Sequence, residues 1–99
     1  MMAKPISAYI CSHPESKAKY NDIRTWARRI MERSGQEKRC DICAFEVVVE
    51  VCHLKAIKDF PSTALMSKVN SLANLVYLCP NHHAMLDKGL LKHSNNWLL

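Results

Sequence analysis

The densest run of reactive side chains is LCPNHHAMLDKGL, Leu78 to Leu90, where a cysteine, two adjacent histidines and an aspartate fall within nine positions. Cys79 and His82 form a CxxH pair, and upstream Cys40 and Cys43 form CxxC at the same interval. Spacings this short let two side chains converge on one ion, and three thiolates with one imidazole make a closed tetrahedral zinc set. A single CxxC would read as a redox pair or as two buried cysteines; two such knuckles in one short chain read as zinc.

The neighbouring histidines raise the question of one metal site or two. Adjacent side chains on a helix point about 100° apart, so His82 and His83 cannot easily serve the same ion. His83 and Asp87 are four apart and share a helix face, where they can grip a second cation while His82 turns toward the zinc. Cys52 and His53 lie together at the end of an apolar run. Taken singly, His53 reads as a hydrogen-bonded strand-end histidine and Asp87 as a surface residue. Only their combination suggests chemistry.

Periodicity indicates which elements position these residues. Ser12, Pro14 and Glu15 have the pattern of a helix start and Gly35 that of a helix end, predicting a helix over about 14–34. Within it Ile23, Trp26, Ala27, Ile30 and Met31 make one apolar stripe. AFEVVVEVCHL, from Ala44 to Leu54, is rich in β-branched residues and alternates at its centre, predicting a strand. NLVYLC, from Asn74 to Cys79, predicts a second. Pro80 then opens a helix that ends before Gly89. The long connection between the strands predicts a helical turn near Thr63 to Val69, and long loops in small domains tend to be functional. No repeat, low-complexity segment or linker interrupts the chain.

Ninety-nine residues predict one domain, 1–99, whose apolar core alone gives marginal stability. Structural zinc, with apparent binding free energies on the order of 10 kcal/mol, would more than compensate. MMAKPISAYICSHPE lacks a secretory apolar core, and no stretch approaches the roughly 18 apolar residues of a membrane span. The expectation is a cytoplasmic chain with no membrane partner and reduced thiols. The formal charge is +5, and Lys17 to Arg39 holds eight of the fourteen Lys and Arg residues. Arg24, Arg28, Arg29 and Arg33 fall largely off the apolar stripe. They form either a solvated face or a phosphate-binding one.

RCDIC, EVCHLKAI and NLVYLCPNHHAMLDKGLL together resemble the HNH endonucleases, which are ββα-metal finger nucleases. The resemblance spans Arg39 to Leu91. It implies an α+β fold, a small zinc-stapled ββα finger of a two-stranded hairpin plus helix over about 39–91, with an additional N-terminal basic helix. Cys40, Cys43, Cys79 and His82 match the structural zinc ligands. His53 matches the general base, and an imidazole suits that work because its ordinary pKa is near neutrality. Asn74 matches the asparagine expected to orient His53 and shape its loop. His83 matches a ligand of the catalytic divalent ion, which stabilises charge on the phosphate and on the departing 3′ oxygen, leaving a 5′ phosphate.

Two departures from the family pattern bear on the metals. Cys52 stands where many members carry Asp or His as a ligand, and a thiolate matches Mg²⁺ poorly. Either Cys52 points into the core while His83 and Asp87 hold the catalytic ion, be it Mg²⁺, Mn²⁺, Ni²⁺ or Zn²⁺, or Cys52 joins them and the preference shifts toward softer ions such as Zn²⁺, Co²⁺ or Ni²⁺. His82 stands where the knuckle usually has cysteine, which zinc tolerates. The implied partner is double-stranded DNA, contacted by Arg24, Arg28, Arg29 and Arg33, in a phage, restriction or mobile-element setting. Homodimerisation is left open. Two other classes compete: a non-catalytic zinc module that binds DNA or a protein, with no use for His53, Asn74 and His83 in register, and a redox CxxC protein without zinc.

Overall fold

Two strands of four residues each, one ending in His53, frame the candidate chemistry, and both faces of the second are covered. The computed structural model describes residues 3–10 and 17–91. The proposed cap at Ser12, Pro14 and Glu15 lies outside them. In chain order the elements are α1 (Asn21–Arg33), β1 (Glu50–His53), α2 (Met66–Val69), β2 (Leu75–Leu78) and α3 (Pro80–Asp87), with short 3-10 turns between several of them. The strands pair antiparallel in the register Glu50 to Leu78, Val51 to Tyr77, Cys52 to Val76 and His53 to Leu75.

Side chains alternate across a strand, so this register sorts the hairpin into two faces. Leu75 and Tyr77 join Ala27 and Met31 of α1 in one core, with Val51 packed alongside. Cys52, Val76 and Leu78 join Cys40 and Cys79 in a second core, against which Leu86 of α3 packs. Every residue of β2 is buried as a result. A third core gathers Ile6, Ile23, Ile57, Met66 and Val69, tying α1 to the long connection. The N-terminal segment is stitched onto that connection by Ile6 N–H to Ala64 O at 2.8 Å and Met66 N–H to Lys4 O at 2.9 Å.

The apolar stripe of α1 is as expected, with Ile23, Ala27 and Met31 buried. Its start differs: the α-helix begins at Asn21, and Lys17–Tyr20 forms a 3-10 turn, a common form of helix entry. Gly35 follows the helix end at φ 77°, the left-handed geometry that stops helices. Gly89 does the same for α3 at φ 72°. There Leu90 N–H reaches Met85 O at 2.9 Å and Gly89 N–H reaches Leu86 O at 3.0 Å, a complete Schellman motif.

The strand expected over Ala44–Leu54 is confined to Glu50–His53. A strand needs a partner, and β2 offers only four residues before Cys79 turns into α3. The preceding segment is taken up by the first knuckle, where Cys40 N–H bonds Phe45 O at 2.9 Å and Ala44 N–H bonds Cys40 O at 2.9 Å. Ala44 adopts φ 62° to close this turn. Val47, expected inside a strand, is 82% exposed. β2 likewise begins one residue later than expected, because Asn74 ends a 3-10 turn.

Met31 and Val47 therefore make a test pair. Met31→Ala opens a void between α1 and the hairpin and should cost about 2–5 kcal/mol in denaturant unfolding. Val47→Ser should stay within about 0.5 kcal/mol of wild type.

Candidate metal centre and active-site cleft

The first knuckle, Cys40 to Cys43, and the entry of α3, Cys79 to His82, meet behind β2. Cys79 is the N-cap and Pro80 the first residue of α3, a position that suits proline because its missing N–H would be unbonded there anyway. The helix turn then swings His82 back toward Cys79. One ligand atom from each of Cys40, Cys43, Cys79 and His82 lies within 4.8 Å of every other. The individual separations are 3.5 Å from Cys40 Sγ to His82 Nδ1, 3.2 Å from Cys79 Sγ to His82 Nδ1 and 3.9 Å from Cys43 Sγ to Cys79 Sγ. Donors arranged tetrahedrally at zinc bond lengths are about 3.5–3.8 Å apart. The four residues thus form a cluster whose size and donor chemistry could hold a structural zinc. Burial pushes the Cys40 thiol up, but hydrogen bonds from the backbone of Cys43, Cys79 and Ile42 outweigh it and bring its pKa down to about 6. One ligand is thereby ready as thiolate at neutral pH.

Cys52 is not part of this centre or of the cleft chemistry. It is 1% exposed and packs in the core between the knuckle and β2. Burial, with the nearby Glu50 and Asp87 carboxylates, pushes its pKa up to about 12. Of the two arrangements open from the sequence, the structure has Cys52 in the core.

His53 ends β1 and faces an open cleft that also receives His83, Asp87, Glu50, Arg24 and Arg28. The main chain just beyond it is clamped by Asn74. The Asn74 Oδ1 accepts Lys55 N–H at 2.8 Å, and its Nδ2 donates to Lys55 O at 3.2 Å and Val69 O at 2.9 Å. Asn74 thus shapes the loop as expected, but it does not hold the imidazole. That contact is made by Asn70, whose Oδ1 lies 2.7 Å from His53 Nε2. Burial lowers the His53 pKa below its ordinary 6.5; the Asn70 bond opposes this and the Arg24 and His83 charges reinforce it.

His83 stands between two carboxylates. Its Nδ1 is 2.8 Å from Glu50 Oε1 and its Nε2 is 3.5 Å from Asp87 Oδ2, one helical turn away. The expected pairing of His83 with Asp87 on one face of α3 is present, while His82 faces the other cluster. Nitrogen and carboxylate donors at a solvent-accessible edge suit a divalent ion that keeps several waters or phosphate oxygens.

The four arginines of α1 divide. Arg24 and Arg28 line the cleft, together with Lys38 and Lys58. Arg29 stacks over the Trp26 ring at 5.1 Å, and Arg33 is absent from the cleft lining. Sequence reading missed Asn70 and Glu50. Glu50 was visible only as a polar position in an alternating strand, and Asn70 only as the residue after a helical turn.

An α+β hairpin and helix closed by a Cys3His cluster that could hold zinc, with a histidine-lined cleft beside it, are consistent with a zinc-stapled ββα finger. Residues 40–91 match the family model described as HNH endonuclease, and the chain belongs to that family. No curated protein and no solved structure gives a significant match.

Two outcomes follow. The purified protein should carry one zinc per chain by elemental analysis, and a strong chelator should abolish its cooperative unfolding transition; a metal-free chain with an unchanged transition would contradict this. In an NMR titration of the zinc-loaded chain, burial of the neutral ring requires that His53 protonate with a midpoint below 6.5, whereas a midpoint above it would contradict this.

Proposed function

We propose that the protein is a metal-dependent endonuclease that hydrolyses DNA phosphodiester bonds, with His53 as general base. The observation that carries this reading is the convergence of His53, the His83 and Asp87 pair, Arg24 and Arg28 on one open cleft, in a chain of the HNH family. A zinc-binding module without activity would need Cys40, Cys43, Cys79 and His82 but none of these groups in common orientation.

His53, neutral at physiological pH because burial lowers its pKa, takes a proton from the water that attacks phosphorus. The new phosphorus–oxygen bond forms as the bond to the 3′ oxygen breaks, leaving a 5′ phosphate. Asn74 keeps the loop after His53 in place through its bonds to Lys55. His83 and Asp87 would hold a divalent ion, with Glu50 steadying the His83 ring through its Nδ1, and that ion would supply Lewis-acid stabilisation of the phosphate charge and of the departing oxygen. Arg24, Arg28, Lys38 and Lys58 bind the neighbouring phosphates, and the open form of the cleft suits a duplex. The metal finger, α1 and the N-terminal segment act as one unit, with α1 providing one wall of the cleft.

The reading is tested with supercoiled plasmid incubated with Mg²⁺, Mn²⁺, Ni²⁺ or Zn²⁺. Wild type should cut with at least one ion, and His53→Ala should lose about 100- to 10,000-fold in rate. Equal cleavage by both would defeat the mechanism, and cleavage by neither would leave a DNA-binding module. With four phosphate contacts, log affinity should fall against log salt with a slope of about −3.6. Arg24→Ala and Arg28→Ala should each flatten that slope by about 0.9, whereas Arg33→Ala should leave it unchanged.

A further inference from the structure

We propose that Asn70 is the positioning residue for His53, fixing the imidazole as the tautomer that carries its proton on Nε2 and presents a bare Nδ1 to the attacking water. The assignment begins with the amide. Asn70 is 1% exposed, and its Nδ2 donates to the main-chain carbonyl of Ile23 at 3.0 Å and lies 3.3 Å from the Met66 sulfur. Both neighbours can only accept. Turning the amide over would set its oxygen against the Ile23 carbonyl oxygen inside the core, so Oδ1 is the atom left to face His53.

An amide oxygen has no proton to give. At 2.7 Å from Oδ1, the His53 Nε2 must be the donor. A neutral imidazole has one N–H, so its Nδ1 carries the lone pair. The bond survives proton transfer, because Nε2 remains a donor when Nδ1 takes the proton from water. Asn70 itself is held firmly. Its N–H bonds Met66 O at 2.9 Å, and Ile23, Met66 and Val69 around it are each no more than 1% exposed. The ring is therefore referenced to the main chain of α1, while Asn74 references the loop. Two asparagines four positions apart divide the holding of one histidine between its ring and its backbone.

This role rests on His53 being the general base, and the test separates the two claims. Long-range proton–nitrogen correlation spectra of the zinc-loaded, ¹⁵N-labelled protein at pH 8 read the tautomer without any cleavage. His53 should be protonated at Nε2. In single-turnover plasmid cleavage, Asn70→Ala should slow the reaction by about 10- to 100-fold, with plasmid affinity within about threefold and an Nδ1–H population appearing in the spectrum. Asn70→Asp keeps an acceptor against Nε2 while setting its second oxygen against the Ile23 carbonyl, so it should fold less stably yet restore the Nε2–H tautomer that Asn70→Ala loses, a return that a merely structural role would not predict. A wild-type ring protonated at Nδ1, or Asn70→Ala cutting at the wild-type rate, would overturn the proposal even if one variant failed to fold. A wild-type protein that holds the Nε2 tautomer and cuts nothing would instead overturn the nuclease reading, and Asn70's catalytic role with it.

Discussion

The convergence of Cys40, Cys43, Cys79 and His82 is the constraint on which the rest of the structure depends. It joins the first knuckle to the start of α3 across 36 residues or more of chain, and Cys40 and Cys79 are themselves part of the core that packs against β2. With His82 turned to the cluster, the roughly 100° step to the next side chain turns His83 away from it to another face of the helix. There it meets Glu50 at the first position of β1 and Asp87 one turn on. One geometric fact, the pitch of a helix, thus separates a closed site from an open one.

The hairpin transmits this arrangement to the general base candidate. Its register is strict because β2 is buried on both faces, and a slip by one residue would exchange Cys52 with His53 and put the thiol in the cleft. α1 plays two parts at once. Its buried stripe closes the hairpin face around Tyr77, and its Ile23 carbonyl holds Asn70, which in turn holds His53. Its exposed side then contributes Arg24 and Arg28 to the same cleft. Two of the cleft's cationic side chains and the orientation of the histidine are consequently linked through a single helix.

What could be read directly from the sequence was what short spacing determines. The two knuckles, the Pro80 start and Gly89 end of α3, the stripe of α1 and the pairing of His83 with Asp87 all depend on neighbours within four positions of each other. What could not be read depends on which distant segments meet. The β-branched Val47 and Val48 favour a strand, but the four-residue length of β2 leaves them unpaired and exposed. Asn70 lies 17 residues from His53, and only the return of the long connection over the end of β1 brings them together. Arg28 and Arg33 are both basic and both on α1, and only the position of the cleft distinguishes them.

The central claim is that adjacent histidines do different work, and the paired variants His82→Ala and His83→Ala test it most directly when zinc content, unfolding and plasmid cleavage are measured on the same preparations. The account predicts that His82→Ala loses zinc and the cooperative unfolding transition, whereas His83→Ala keeps one zinc and a wild-type transition while losing cleavage. Loss of zinc in both variants, or retained cleavage in His83→Ala, would contradict it.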